Sequence, residues 1–180
     1  LGVVKKFMRK YKGNIDDPES IFASTNALIR ACQGHFAQGI YKGGRSEVPQ
    51  KSYRKVVSFL LELGANPNFT NKKAKNWLAP LHVVGNFDLH IVKELLKFGA
   101  DPNIEDAKGK TPLFYHMTKD VNPMWEEPQA LVVQSLIDAG GKVHSTDEAL
   151  ELVAYNGKLQ FVEVLLEWGV SQEGKDAALY

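Results

Sequence analysis

Cysteine is almost absent from this sequence. Cys32 is the one thiol in 180 residues, so no disulfide can form within the chain. A reducing compartment, cytoplasmic or nuclear, is the expectation that follows. Long apolar runs are missing as well. Charge interrupts every candidate well short of the roughly 20 residues that a spanning helix needs. Leu1-Gly2-Val3-Val4 is followed at once by Lys5 and Lys6, which leaves no apolar core for a secretory signal. An initiator Met is lacking, so the chain is expected to be a fragment, a processed product or part of a longer protein.

Catalytic and metal signatures are equally scarce. No nucleophile elbow, metalloprotease motif or carboxylate pair is present. Gly109-Lys110-Thr111 looks like the end of a phosphate-binding loop, but Ile104 stands where that motif needs Gly, and Pro112 follows at once. Cys32-Gln33-Gly34-His35 could be half of a zinc site, yet no second cysteine pair completes it. With no base beside it, Cys32 reads as a small buried residue. The histidines, His35, His82, His90, His116 and His144, are scattered. No enzyme activity, cofactor, metal or small-molecule substrate is expected. Asn68-Phe69-Thr70 is a glycosylation sequon, meaningful only in a secreted chain.

What is present is charge asymmetry and periodicity. Residues 1–75 hold 14 Lys/Arg against 5 Asp/Glu, and residues 76–180 hold 8 against 16. Such a split marks either a partner-binding surface or unevenly spread solvation. No nucleic-acid motif accompanies the basic half, so binding to nucleic acid or anionic membrane is not the leading expectation.

Apolar residues recur at helical spacing and stop at glycine. Val3, Val4, Phe7, Met8 and Tyr11 predict one helix. Residues 19–34 predict another, with Leu28, Ala31 and Cys32 inward. Tyr53–Leu63 ends at Gly64, Leu95-Leu96-Lys97-Phe98 ends at Gly99, Leu136-Ile137-Asp138-Ala139 ends at Gly140, and Leu165-Leu166-Glu167-Trp168 ends at Gly169. Short turn-rich segments separate each stop from the next helix start. One such start reads Ala79-Pro80-Leu81-His82-Val83-Val84, and the next reads Thr111-Pro112-Leu113-Phe114.

These two boxes resemble the Thr-Pro-Leu-His-x-Ala element of the ankyrin-repeat family, whose period is about 33 residues. The resemblance implies an all-α solenoid of about four helix-pair repeats with β-hairpin fingers, plus partial repeats at both ends. The expected division is a half repeat or cap at 1–18, a repeat at 19–68 with an inserted loop at 36–52, and a repeat at 69–103. A repeat at 104–143 with an inserted loop at 119–129 follows, then one at 144–170 and the start of a further helix at 171–180. Spacing identifies the insertions: Leu28 to Leu60 is 32 residues and Leu113 to Leu136 is 23, against 15 from Leu150 to Leu165. In this family the box His braces the helix start and the adjacent finger, a role that falls to His82. The family's Asn after the Gly stop closes the finger, a role that falls to Asn68 and Asn103. In animal members that Asn can also be hydroxylated.

The family's usual function is binding another protein through the concave surface of finger tips and first helices. Carried onto this sequence, that surface includes Lys72, Lys73, Lys75 and Trp77 on one finger, and Glu105, Lys108 and Lys110 on the next. Asn86, Phe87, Thr118, Lys119 and Tyr155 come from first-helix ends, and Trp125 from the second insertion. Trp77 reads either as an interface anchor or as a packed finger residue. A monomeric intracellular module is expected. The alternative is an ankyrin targeting region of a larger enzyme, or of an effector delivered into a host cytosol by an intracellular bacterium.

Overall fold

The computed structural model describes residues 27–34, 50–70, 76–121 and 123–168. The predicted helix at 3–12, the inserted loop expected at 36–52 as far as residue 49, the basic finger tip and the segment at 171–180 lie outside these residues, while residues 50–52 of that loop are helical, in Gln50–Glu62.

Every regular element described is helical. In chain order they are α1 (Ala27–Gln33), α2 (Gln50–Glu62), two 3₁₀ turns (Pro80–Val83 and Gly85–Phe87) and α3 (Leu89–Lys97). Then come α4 (Pro112–Thr118), a 3₁₀ turn (Pro123–Trp125), α5 (Glu126–Asp138), α6 (Thr146–Tyr155) and α7 (Leu159–Glu167). No described helix is long and apolar enough to cross a membrane.

The elements pack in successive pairs: α1 with α2, the Pro80–Val83 turn with α3, α4 with α5, and α6 with α7. First elements also touch one another, α1 against the 3₁₀ turn, that turn against α4, and α4 against α6. Second helices do the same from α2 to α3 to α5. Two rows of leucine fill the space between. Leu28, Leu81, Leu113 and Leu150 come from first elements and are at most 1% exposed. Leu60, Leu95, Leu136 and Leu165 come from second helices and are buried too, Leu60 at 7% being the most open. Each such side chain contributes about 1.5–3 kcal/mol by leaving water.

The glycine stops share one geometry. Gly99 has φ +86°, its N–H bonds to the Leu96 carbonyl at 3.0 Å, and the Ala100 N–H bonds to the Leu95 carbonyl at 2.9 Å. This pair of bonds satisfies carbonyls that the helix end would otherwise orphan. The same two bonds recur at Gly64-Ala65 and at Gly140-Gly141.

The fingers differ from expectation. No strand occurs among the described residues. The finger between α3 and α4 is closed by one turn: the Asp106 N–H donates to the Lys110 carbonyl at 3.0 Å, and the Gly109 N–H donates to the Asp106 carbonyl at 3.2 Å. The Asp106 carboxylate accepts from the N–H groups of Lys108 and Lys110, both at 2.8 Å. A side chain that claims these donors takes the place of a longer ladder.

The second insertion also differs. Glu126-Glu127-Pro128, read from composition as loop, forms the first turn of α5. Proline lacks only an N–H that the first turn leaves unbonded, and two acids suit the positive end of the helix dipole.

Candidate functional site

Side chains at the seams between pairs are bonded to the next pair's backbone. The Asn68 amide donates to the Gly99 carbonyl at 2.9 Å and accepts from the Asp101 N–H at 2.7 Å. Asn103 repeats this, donating to the Gly140 carbonyl at 3.0 Å and accepting from the Lys142 N–H at 2.8 Å. Thr111 donates its hydroxyl to the Lys142 carbonyl at 2.6 Å and accepts from the Phe114 N–H at 3.4 Å, so it caps α4 while holding the next finger.

His82 braces two segments. Its Nδ1 accepts from the Ala79 N–H and its Nε2 donates to the Lys110 carbonyl, both at 3.0 Å. That pairing needs the neutral ring, and burial lowers the His82 pKa in the same direction. His116 donates from Nε2 to the Leu81 carbonyl at 3.0 Å, and burial pushes its pKa down to about 4. Beside them, the Tyr115 hydroxyl donates to Asp106 at 2.7 Å. Burial alone would raise Asp106, but bonds from Tyr115, Lys110 and Lys108 outweigh it and hold the carboxyl below its ordinary value.

The carbonyls at the end of α4 are met by side chains from later in the chain. Gln129, fully buried, donates to the His116 carbonyl at 2.6 Å and to the Lys119 carbonyl at 3.0 Å. Asn156 donates to the Thr118 carbonyl at 2.8 Å. Lys158 donates to the Lys119 carbonyl and, at 3.0 Å, to Gln129 Oε1. A cation at this end also meets the negative pole of the helix dipole.

Between α1 and α4 the row of first elements is interrupted. Val83-Val84-Gly85 combines two β-branched residues with glycine, all poor helix formers. The chain there makes two 3₁₀ turns where its neighbours make α-helices, and Val84 leaves helical geometry at φ −56°, ψ 115°. A cleft of about 490 Å³ lies at this interruption. Its walls are Arg30 and Gln33 of α1 on one side and Tyr115, Thr118 and Lys119 on the other, with Val83–Gly85 between. The Lys119 ammonium sits 5.3 Å from the centre of the Phe87 ring, and burial lowers its pKa.

The expected surface residues therefore separate. Thr118 and Lys119 meet in the cleft. Tyr155, at the end of α6, is 89% exposed, and its neighbour Asn156 bonds to Thr118. Phe87 and Lys110 turn inward. Phe87 is 6% exposed against His116, and Lys110 is 9% exposed, paired with Glu148 and over the Phe114 ring. Lys108 is exposed, and Glu105 is exposed and bonded to His144 at 2.6 Å. Trp77 is 37% exposed with φ +49°, a strained conformation for a bulky residue, next to an Asn76 carbonyl that accepts from the Ala107 N–H. Asn86 falls in the second 3₁₀ turn. Trp125 lies apart, lining a separate cleft of about 240 Å³ with Arg54, Asp88 and Leu131. Lys72, Lys73 and Lys75 lie outside the described residues. Arg30, Gln33 and Tyr115 were not expected in the site. The Val-Val-Gly break was the one sequence signal that could have drawn attention to it.

The sequence pattern of the ankyrin-repeat family matches residues 76–107. This segment is an ankyrin repeat. It contains the Ala79–Val84 box and His82, the two Leu rows at Leu81 and Leu95, the Gly99 stop and the start of the next finger. Ankyrin repeats are non-catalytic protein-interaction modules. No curated protein matches the chain. In the described structure, the buried Cys32 thiol is pushed well above its ordinary pKa by burial, the opposite of what a nucleophile requires. Among the described residues no group of three or more His, Cys, Asp or Glu side chains is placed to hold a metal ion.

Proposed function

We propose that all the packed pairs are repeats of the kind matched at 76–107, and that together they bind one protein partner as a monomer inside cells. The binding face is the row of first elements with its fingers. The observation that carries this reading is the cleft between α1 and α4, which brings Thr118 and Lys119 to one wall. Tyr155 extends the same row as an exposed aromatic, and aromatics are enriched at interface centres. The strained, half-open Trp77 is a second anchor from the finger side, with Lys108 and Glu105 on the next finger, and Lys72, Lys73 and Lys75 precede it in the chain. Phe87 and Lys110 support this face from beneath, and Trp125 belongs to a separate surface.

Affinity capture with the full chain tests the face. Tyr155→Ala, Lys119→Glu and the combined Lys72→Glu, Lys73→Glu and Lys75→Glu variants are expected to lose a partner that the unaltered chain recovers. Lys93→Glu, exposed on α3, is expected to retain it. Equal recovery by every variant would move the binding face elsewhere.

A further inference from the structure

The second cleft, the one that holds Trp125, is built by an insertion. Its walls come from Arg54 of α2, from Asp88 and His90 at the start of α3, and from Trp125, Glu127 and Leu131 at the start of α5. Trp125, Glu127 and Pro128 fall in the stretch that lengthens the step from Leu113 to Leu136 to 23 residues, against 15 from Leu150 to Leu165. The wall they form therefore owes nothing to the repeat pattern.

The charges of this lining divide into a spent pair and an open one. Arg54 donates from Nε to Asp88 at 2.9 Å. The Asp88 carboxylate, 2% exposed, also caps α3 by accepting from the N–H groups of His90 at 3.1 Å and Ile91 at 3.4 Å. An anion entering here would have to take Arg54 from Asp88. Glu127 is exposed, and among the described residues no cation is paired with it. Trp125 is half-buried, and among the described residues no cation stands over its ring. The Phe87 ring differs, because the Lys119 ammonium already lies 5.3 Å from its centre. Leu131, 49% exposed, adds apolar surface together with Leu89 and Pro128.

Size and chemistry then select the occupant. The cleft holds about 240 Å³, below the roughly 300–1,000 Å³ of pockets that enclose a whole small molecule, and suits a single side chain. An open carboxylate beside an open indole face suits a cation, and Trp is the best ring for one. Long basic side chains lay their stems on apolar surface and keep the charged head near water. Of the two, a guanidinium can both stack on an aromatic ring and pair with a carboxylate.

We propose that this cleft takes one arginine side chain of a partner protein, with the guanidinium set against the Trp125 ring and Glu127 and the stem along Pro128 and Leu131. The site lies apart from the row of first elements, so it stands or falls separately from the binding face proposed above.

The test is a nuclear magnetic resonance titration of the full, isotope-labelled 180-residue chain with capped tripeptides. The probes are Gly-Arg-Gly, the same peptide with citrulline, which keeps the shape and removes the charge, and Gly-Glu-Gly. The titration is run at about pH 8, above the usual range of imidazole, so that a charge on His90 plays no part. Trp77, Trp125 and Trp168 each give one indole N–H signal, and Trp125→Phe identifies its own. The arginine peptide is expected to move the Trp125 signal and leave the other two in place. It should bind at least about fivefold more tightly than the citrulline peptide, the size of one cation–π contact and one exposed ion pair together. Glu127→Gln should weaken the arginine peptide by about threefold, with the rest of the spectrum unchanged. Glu151→Gln, exposed on α6, should have no effect. Equal binding of arginine and citrulline overturns the proposal, as does an unchanged affinity in Glu127→Gln. Equal shifts of all three indole signals would mean diffuse surface charge and overturn it too. Tighter binding of Gly-Glu-Gly assigns the cleft to an anion, and a Trp125 signal that moves in no titration removes the site.

Discussion

The seam between residues 80–97 and 112–138 and the seam between 112–138 and 146–167 are tied by different side chains. Beside the glycine stops, the earlier seam carries the Asn103 clamp, which repeats the two bonds that Asn68 makes across the seam before it. At the other edge, the earlier seam is tied by histidines, His82 to Lys110 and His116 to Leu81. The later one is tied by Asn156 and Lys158 on the carbonyls that end α4, beside Gln129, which meets the same carbonyls from within the 112–138 pair. The edge beside the glycine stops repeats because each stop presents the same carbonyl and N–H. The opposite edge varies because each first element ends differently, one in 3₁₀ turns and one in a helix, and leaves different backbone groups to satisfy.

The comparison can be broken most strongly in the shared core. Leu95→Ala and Leu136→Ala, both at 0% exposure, should each cost about 2–5 kcal/mol and by similar amounts, because they occupy equivalent places. Unequal losses in urea denaturation would show that the two seams are not equivalent even where they look alike.

Acid should then separate the two seams. His116 is neutral in the folded chain, with a pKa of about 4 against an ordinary 6.5, so below pH 6.5 the unfolded chain takes a proton that the folded chain refuses. Its contribution is fully present above pH 6.5 and is lost as the pH falls to about 4. The loss is on the order of 3 kcal/mol, and His82 shifts in the same direction. Thermal melts from pH 7 to pH 4 should show it, and His116→Leu should flatten the slope even though it lowers stability at pH 7.

Between α4 and α5, where Gln129 also meets Lys158 of the later seam, Gln129→Leu leaves the His116 carbonyl without its buried donor and should cost about 1–3 kcal/mol. A neutral outcome would mean that Lys158 and water take over its bonds. Gly109→Val places a β-branched residue at φ +71° with open space around it, so the cost is backbone strain alone, about 1–2 kcal/mol. The smallest effects belong to the asparagine clamps. Asn68→Ala and Asn103→Ala lie at the exposed edge and should each cost about 1 kcal/mol, additively in the double variant.

Much of this was legible residue by residue. The Leu rows, the Gly stops and the Pro112 helix start follow from residue type and spacing, whereas the brace at His82 and the seam role of Asn68 and Asn103 were implied by the family resemblance. Pro128 and the paired Glu126 and Glu127 misled, since composition marks a loop and a capped first turn alike. Phe87 and Lys110 misled differently. Their positions relative to the boxes suggested a surface, but His116, Phe114 and Glu148 come from other segments to cover or pair them.

By itself, the sequence determined the helix-and-stop periodicity and the family of the 76–107 segment, because those signals are local and repeat within one turn or one repeat. Tertiary structure decided the cleft. Arg30 and Lys119 stand 89 residues apart, with the Val83–Gly85 break between them. Stacking sets them on facing walls, and no spacing along the chain encodes a distance that only stacking creates.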